Sequence, residues 1–94
     1  MEQNRERAVI TVVGKDQYGI IAEVTATLRD YRVNVEDISQ TIMQDIFDMM
    51  MLVNLENMDG TFKQLKDRLE ELGRRMNLQI TIQHTAIFDS MHRI

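Results

Sequence analysis

Residues 12–24, VVGKDQYGIIAEV, change period halfway along, and this change decides what kind of fold the chain makes. They open as the end of a nearly continuous β-branched and apolar run, 8–13, which suits a strand covered on both faces. The run breaks across 14–19. Beyond it, Ile21, Val24, Thr25, Leu28 and Tyr31 recur at i, i+3, i+4, i+7 and i+10, the spacing of one helix face. The break has two physical readings. As a turn, it uses Gly14 and Gly19 for backbone freedom and Asp16 to cap the helix. As a site, it leaves the first N–H groups of the helix for a small anion such as a carboxylate, with Asp16 beside them to hold an amino group. An amino acid carries both charges. The loop is no phosphate cradle, because neither GxxxxGK[ST] nor GxGxxG is present.

Working outward, RDYRVN ends the first helix, with Asn34 as the residue suited to turn dihedrals. Residues 34–43 alternate as a strand does, with Glu36, Ile38, Gln40 and Ile42 on one face. Val35, Asp37, Ser39, Thr41 and Met43 take the other. Gln44-Asp45-Ile46 is read as a hairpin connection. In the third strand, 47–55, Phe47, Met49, Met51, Val53 and Leu55 face one way, while Met50 and Leu52 make the opposite face apolar too. A sheet covered by helices on one side leaves that second face in water, so it points to a partner subunit. Met58-Asp59-Gly60 forms a turn and Thr61 is positioned as an N-cap. Phe62, Leu65, Leu69, Leu72 and Met76 then mark a second helix, whose outer face carries pairs such as Lys66 and Glu70. Leu78, Ile80 and Ile82 alternate with polar residues in a fourth strand. Residues 86–94, with Ile87, Phe88, Met91 and Ile94, read as a short amphipathic helical tail.

The order strand–helix–strand–strand–helix–strand predicts an α+β, ferredoxin-like βαββαβ sandwich: a four-stranded antiparallel sheet with two helices on one face. Two right-handed crossovers place the first and third strands at its centre. The organisation expected is an N-terminal extension over 1–7, one domain over 8–85 and the tail over 86–94.

Composition narrows the function. A chain of 94 residues fits a single domain, and its modest core gains from pairing with a second copy. Eight Met and 5% aromatics predict aliphatic and thioether packing. The absence of Cys removes disulfides, thiolate metal sites and Cys nucleophiles. No apolar stretch suits a bilayer span, and MEQNRERAV has no signal-peptide core, so a soluble cytoplasmic protein is expected. The net charge of −4 argues against nucleic acid as the main partner. Nor is an enzyme expected. Ser39 and Ser90 lack a nucleophile elbow. His84 and His92 bring no carboxylate at ligand spacing and are read as exposed or capping residues, so no metal or cofactor is expected. Neighbouring Glu36 and Asp37 point to opposite faces of a strand and cannot act as an acid/base pair.

Taken together, GKDQYGIIAEVTATLRDYRVNVEDISQT and FDMMMLVNL resemble the ACT domain, the small-molecule-sensing module of amino-acid metabolism. The family's pattern is an acid or amide and a Gly opening the first helix, then Asn-Ile/Val opening the second strand. Here these are Asp16, Gly19 and Asn34-Val35. VVGKDQYGI, VNVEDISQT and IQHTAIFDSMHRI extend the likeness to small stand-alone ACT-domain proteins, over nearly the whole chain after Arg7. The resemblance implies a ligand site between two subunits of a homodimer. Asp16, Gln17, Gly19 and Ile20 of one loop would face Asn34, Val35 and Ile38 of the other copy. One position departs: many ACT domains have Pro before the loop glycine, where this chain has Tyr18. The function implied is a regulatory homodimer that senses an amino acid or related metabolite and passes its occupancy to a protein target. The rival is a ligand-free interaction module that uses the Met-rich sheet face and the tail.

Overall fold

A computed structural model describes residues 6–85; the tail expected over 86–94 lies outside them. The elements are β1 (Arg7–Lys15), α1 (Ile20–Asp30), β2 (Asn34–Met43), β3 (Ile46–Asn54), α2 (Phe62–Met76) and β4 (Leu78–His84). The strands lie in the order β2-β3-β1-β4, and each neighbouring pair is antiparallel. This is the ferredoxin-like arrangement, with β1 and β3 central as expected. Their alternation sends Ala8, Ile10 and Val12 of β1, and Phe47, Met49, Met51 and Val53 of β3, into one core with the helices.

Beta-strand 1 runs further than its apolar residues, through Gly14 and Lys15, so the loop to α1 is only 16–19. Gly14 is therefore a strand residue and not a turn residue. A Cβ there would stand 2.6 Å from Leu78 Cδ2. The buried stripe of α1 is Ile20, Val24, Thr27 and Leu28, one step round from the expected Ile21–Thr25 face. With Ile20 and Ile21 adjacent, periodicity alone could not choose between them. Thr27 is buried without an orphaned hydroxyl, because it donates to the Glu23 carbonyl at 3.1 Å.

The end of α1 also differs from expectation. The N–H of Val33 reaches back to the Leu28 carbonyl (2.9 Å) and that of Arg32 to the Arg29 carbonyl (3.0 Å). This closure needs a left-handed residue, usually glycine. Arg32 takes that place at φ +56°, and Asn34 instead opens β2.

Beta-strand 2 carries a bulge. Val35 pairs with Val53 but Asp37 with Leu52, leaving Glu36 as an extra residue. The shift puts Val35 on the same side as Gln40 and Ile42, against the expected alternation. Val35 packs on the core, and Gln40 and Ile42 border a hollow with Ile20 and Phe47. The hairpin loop is the two residues Gln44 and Asp45, since Ile46 already pairs with Met43.

Alpha-helix 2 starts as the sequence reads. Thr61 accepts from the Gln64 N–H at 3.1 Å, and the Gln64 side chain accepts from the Thr61 N–H at 2.9 Å, a complete capping box. Leu65, Leu69 and Leu72 are buried, and Phe62 and Met76 pack at the two ends. Near its C-terminus Gly73 lies so close to β4 that a Cβ would stand 2.6 Å from the Leu78 carbonyl oxygen.

Candidate functional site

The loop 16–19 is tied down at both ends. The Asp16 N–H donates to the Asp45 carbonyl at 2.7 Å, which joins the loop to the β2–β3 hairpin tip. Gln17 Nε2 donates to the Met76 carbonyl at 3.0 Å and to the Lys15 carbonyl at 3.3 Å, which joins it to the end of α2. Gln17 thus spends its amide donors on holding the loop. Tyr18 stands fully exposed.

The expected Asp16 cap does not form. The N-cap of α1 is Gly19, left-handed at φ +88°, and no side chain caps the helix. A glycine suits this place because a Cβ would strain the backbone even though the space around it is open. The first helical bond runs from the Glu23 N–H to the Gly19 carbonyl, 2.9 Å. The N–H groups of Ile20, Ile21 and Ala22 have no partner among the described residues. They adjoin a hollow of about 330 Å³ lined by the loop, the first turn of α1, Gln40, Ile42 and Phe47. Free N–H groups, the positive end of the helix dipole and one carboxylate at Asp16 together suit a small zwitterion.

Asp16, Gln17, Gly19 and Ile20 are therefore brought together. Asn34 and Val35 line a different cleft, of about 610 Å³, with Thr25, Leu28, Arg29, Arg32, Val33 and Asn57. Ile38 borders a third hollow of about 110 Å³ with Val9, Met50 and Leu52. Within one chain the two halves of the expected site do not meet. Sequence reasoning missed Gln40, Ile42 and Phe47, which border the loop from the β2–β3 hairpin and are far from it in sequence.

The remaining candidate groups have other work. His84 stacks on Phe62, with ring centroids 4.1 Å apart, so it is a packing residue and not an exposed or capping one. Glu36 accepts from Arg7 Nε (2.7 Å) and Asn54 Nδ2 (3.0 Å), whereas Asp37 accepts from the Ile38 N–H (3.0 Å). On the exposed face of α2, the hydrogen bond that Lys63 donates to Asp67 raises its ammonium above the ordinary lysine value. Among the described residues no cluster of His, Cys, Asp and Glu fits a metal, and no helix is long and apolar enough to cross a membrane.

Residues 6–83, which include every element above but for the last residue of β4, match the ACT domain family. The chain belongs to the ACT domain family. It is 48% identical over 89 residues to a UPF0237 protein of Methanococcus maripaludis, covering 95% of this chain and 99% of that one. Among solved structures it is similar to an ACT domain protein from Streptococcus pneumoniae, at 40% identity and TM-score 0.77, over 88% of this chain and 93% of that one. It also matches a putative glycine cleavage system transcriptional repressor at 25% identity and TM-score 0.73, over 86% of this chain and 46% of that one. ACT domains are regulatory modules that bind small molecules, and this chain carries their fold.

Proposed function

We propose that this ACT domain is a non-catalytic regulatory protein of the cytoplasm that binds an amino acid, or a closely related metabolite, between two copies of itself. The observation that carries the reading is the uncapped start of α1. Unpartnered N–H groups there adjoin a hollow that also holds Asp16. The ligand carboxylate meets the N–H groups near Gly19 and Ile20, and Asp16 takes the ammonium. Gln17 keeps the loop in place, and Asn34, Val35 and Ile38 of the second copy close the site. Occupancy favours the assembled state, and that state is what a protein target reads.

The test is thermal denaturation against each common amino acid at about 10 mM. A ligand with a Kd near 1 mM adds roughly 1.4 kcal/mol, which is several degrees in a domain this small. Asp16→Ala and Asn34→Ala are each expected to abolish the shift without lowering the melting temperature of the free protein. A shift that survives both would refute this site, and no shift with any amino acid would refute the sensor reading.

A second reading has one observation in its favour. Val13, Ile46 and Met50 are exposed on the sheet face away from the helices, Met50 by 52%. On that reading the face binds protein, either a target or a second copy. Met50→Lys is expected to halve the mass seen by light scattering if the face is the seam of the dimer. An unchanged mass, in a protein that stays folded, would point instead to edge-to-edge pairing.

A further inference from the structure

We infer that the cleft at the C-terminal end of α1 is an anion site, taking a small oxyanion with two or more charged oxygens on a short carbon skeleton. Three observations converge on it. First, the cleft is rich in donors. Arg29, Arg32, Asn34 and Asn57 are among its eight lining residues, and none of the eight carries a carboxylate, in a chain whose acids outnumber its bases by 15 to 11. Second, those donors are under-used. The Asn34 and Asn57 amides have no hydrogen-bond partner among the described residues. Arg29 reaches only its neighbour Asp30 at 3.5 Å, and Arg32 only Asp59 at 3.9 Å, with both guanidiniums largely in solvent. Pairs this long and exposed leave most of the N–H forks free for a bidentate ligand.

The third observation is the backbone of Arg32. It holds the left-handed position that closes α1, at φ +56°, where glycine would be free of strain and where a long side chain is disfavoured. A strained residue at the rim of a cleft signals that its side chain is wanted there. Arg29, which also lines the cleft, comes from the last turn of the same helix. Beneath them Leu28, Val33 and Val35 supply an apolar floor, so the ligand has a carbon portion as well as charge. The cleft is complete within one chain. It shares Asn34 and Val35 with the amino-acid reading but neither Asp16 nor the loop, so the inference stands without that reading.

The experiment is titration of the full chain, followed by calorimetry and by amide NMR shifts, with inorganic phosphate and separately with succinate. Ionic strength is held constant with sodium chloride. Saturable binding is expected in the millimolar range for at least one probe, with the largest shifts at 29–35 and at Asn57. Arg29→Gln and Arg32→Gly are each expected to weaken it about tenfold or more, the loss of one charge-assisted contact, while Asp16→Ala leaves it unchanged. Arg32→Gly should also raise the melting temperature by roughly 2–4 °C, because it relieves the strain. A merely structural arginine would give the opposite sign. Preference for phosphate assigns a phosphorylated ligand, and preference for succinate a dicarboxylate. No saturable binding of either probe up to about 50 mM, well above any specific site's Kd, overturns the inference. So does binding that survives both arginine substitutions, or a fall in melting temperature for Arg32→Gly.

Discussion

Gly73→Val is expected to lower stability by about 3 kcal/mol or more, and Gly73→Ala by about 1–2 kcal/mol, although alanine is the better helix former by up to about 1 kcal/mol. The sign follows from one close approach. A Cβ at 73 would stand 2.6 Å from the Leu78 carbonyl oxygen and 3.4 Å from Ile80 Cγ1. Beta-strand 4 cannot retreat, because its whole length pairs with β1 from Ala8↔His84 to Gly14↔Leu78. The helix must move instead, and with it Leu65, Leu69 and Leu72, which are almost wholly buried. Valine adds two further carbons and a β-branched restraint. Urea denaturation should show both midpoints lowered at an unchanged slope. A stabilised Gly73→Ala would mean that helix propensity governs this position and that the helix does not touch the strand here.

The second large effect lies at the centre of the sheet. Met51→Ala is expected to cost about 2–5 kcal/mol, the range for emptying a buried long side chain, whereas Met51→Leu should cost less than about 1.5 kcal/mol. Met51 is fully buried, pairs with Ile10 on one side and Ile38 on the other, and sits beneath the helices. The cavity left by alanine has no mobile neighbour to fill it, because β3 is held by strands on both edges. Calorimetry of the two variants separates volume from chemistry. A small loss for alanine would show that the core collapses around the gap.

Much of this fold was legible because its elements differ in period. The leucine stripe of α2 allows one placement, and two right-handed crossovers correctly put β1 and β3 in the middle. Three features escaped for physical reasons. The bulge at Glu36 is a matter of register, and alternation read along one strand is blind to its partner. The buried face of α1 was displaced because Ile20 and Ile21 satisfy either phase. The turn after α1 was assigned to Asn34 because Asn tolerates left-handed dihedrals best, yet Arg32 holds the position. At the loop, the glycine and the aspartate were readable as a pair. What could not be read was that Gly19 starts the helix with no side-chain cap while Asp16 reaches the hairpin tip through its backbone.

The central position of β1 also fixes the order in which the chain can be completed. Its two neighbours come later in sequence: Val13 meets Asp48, and Ala8 meets His84. During synthesis at about 5–20 residues per second, roughly 3–15 s separate the emergence of β1 from that of β4. For that interval the segment AVITVV has at least one hydrogen-bonding edge open, a template for pairing with other nascent chains. Closing such distant pairs costs loop entropy before any contact repays it. The strand made first is the one satisfied last, so losing the final strand would strip an edge from the centre of the sheet and not from its rim.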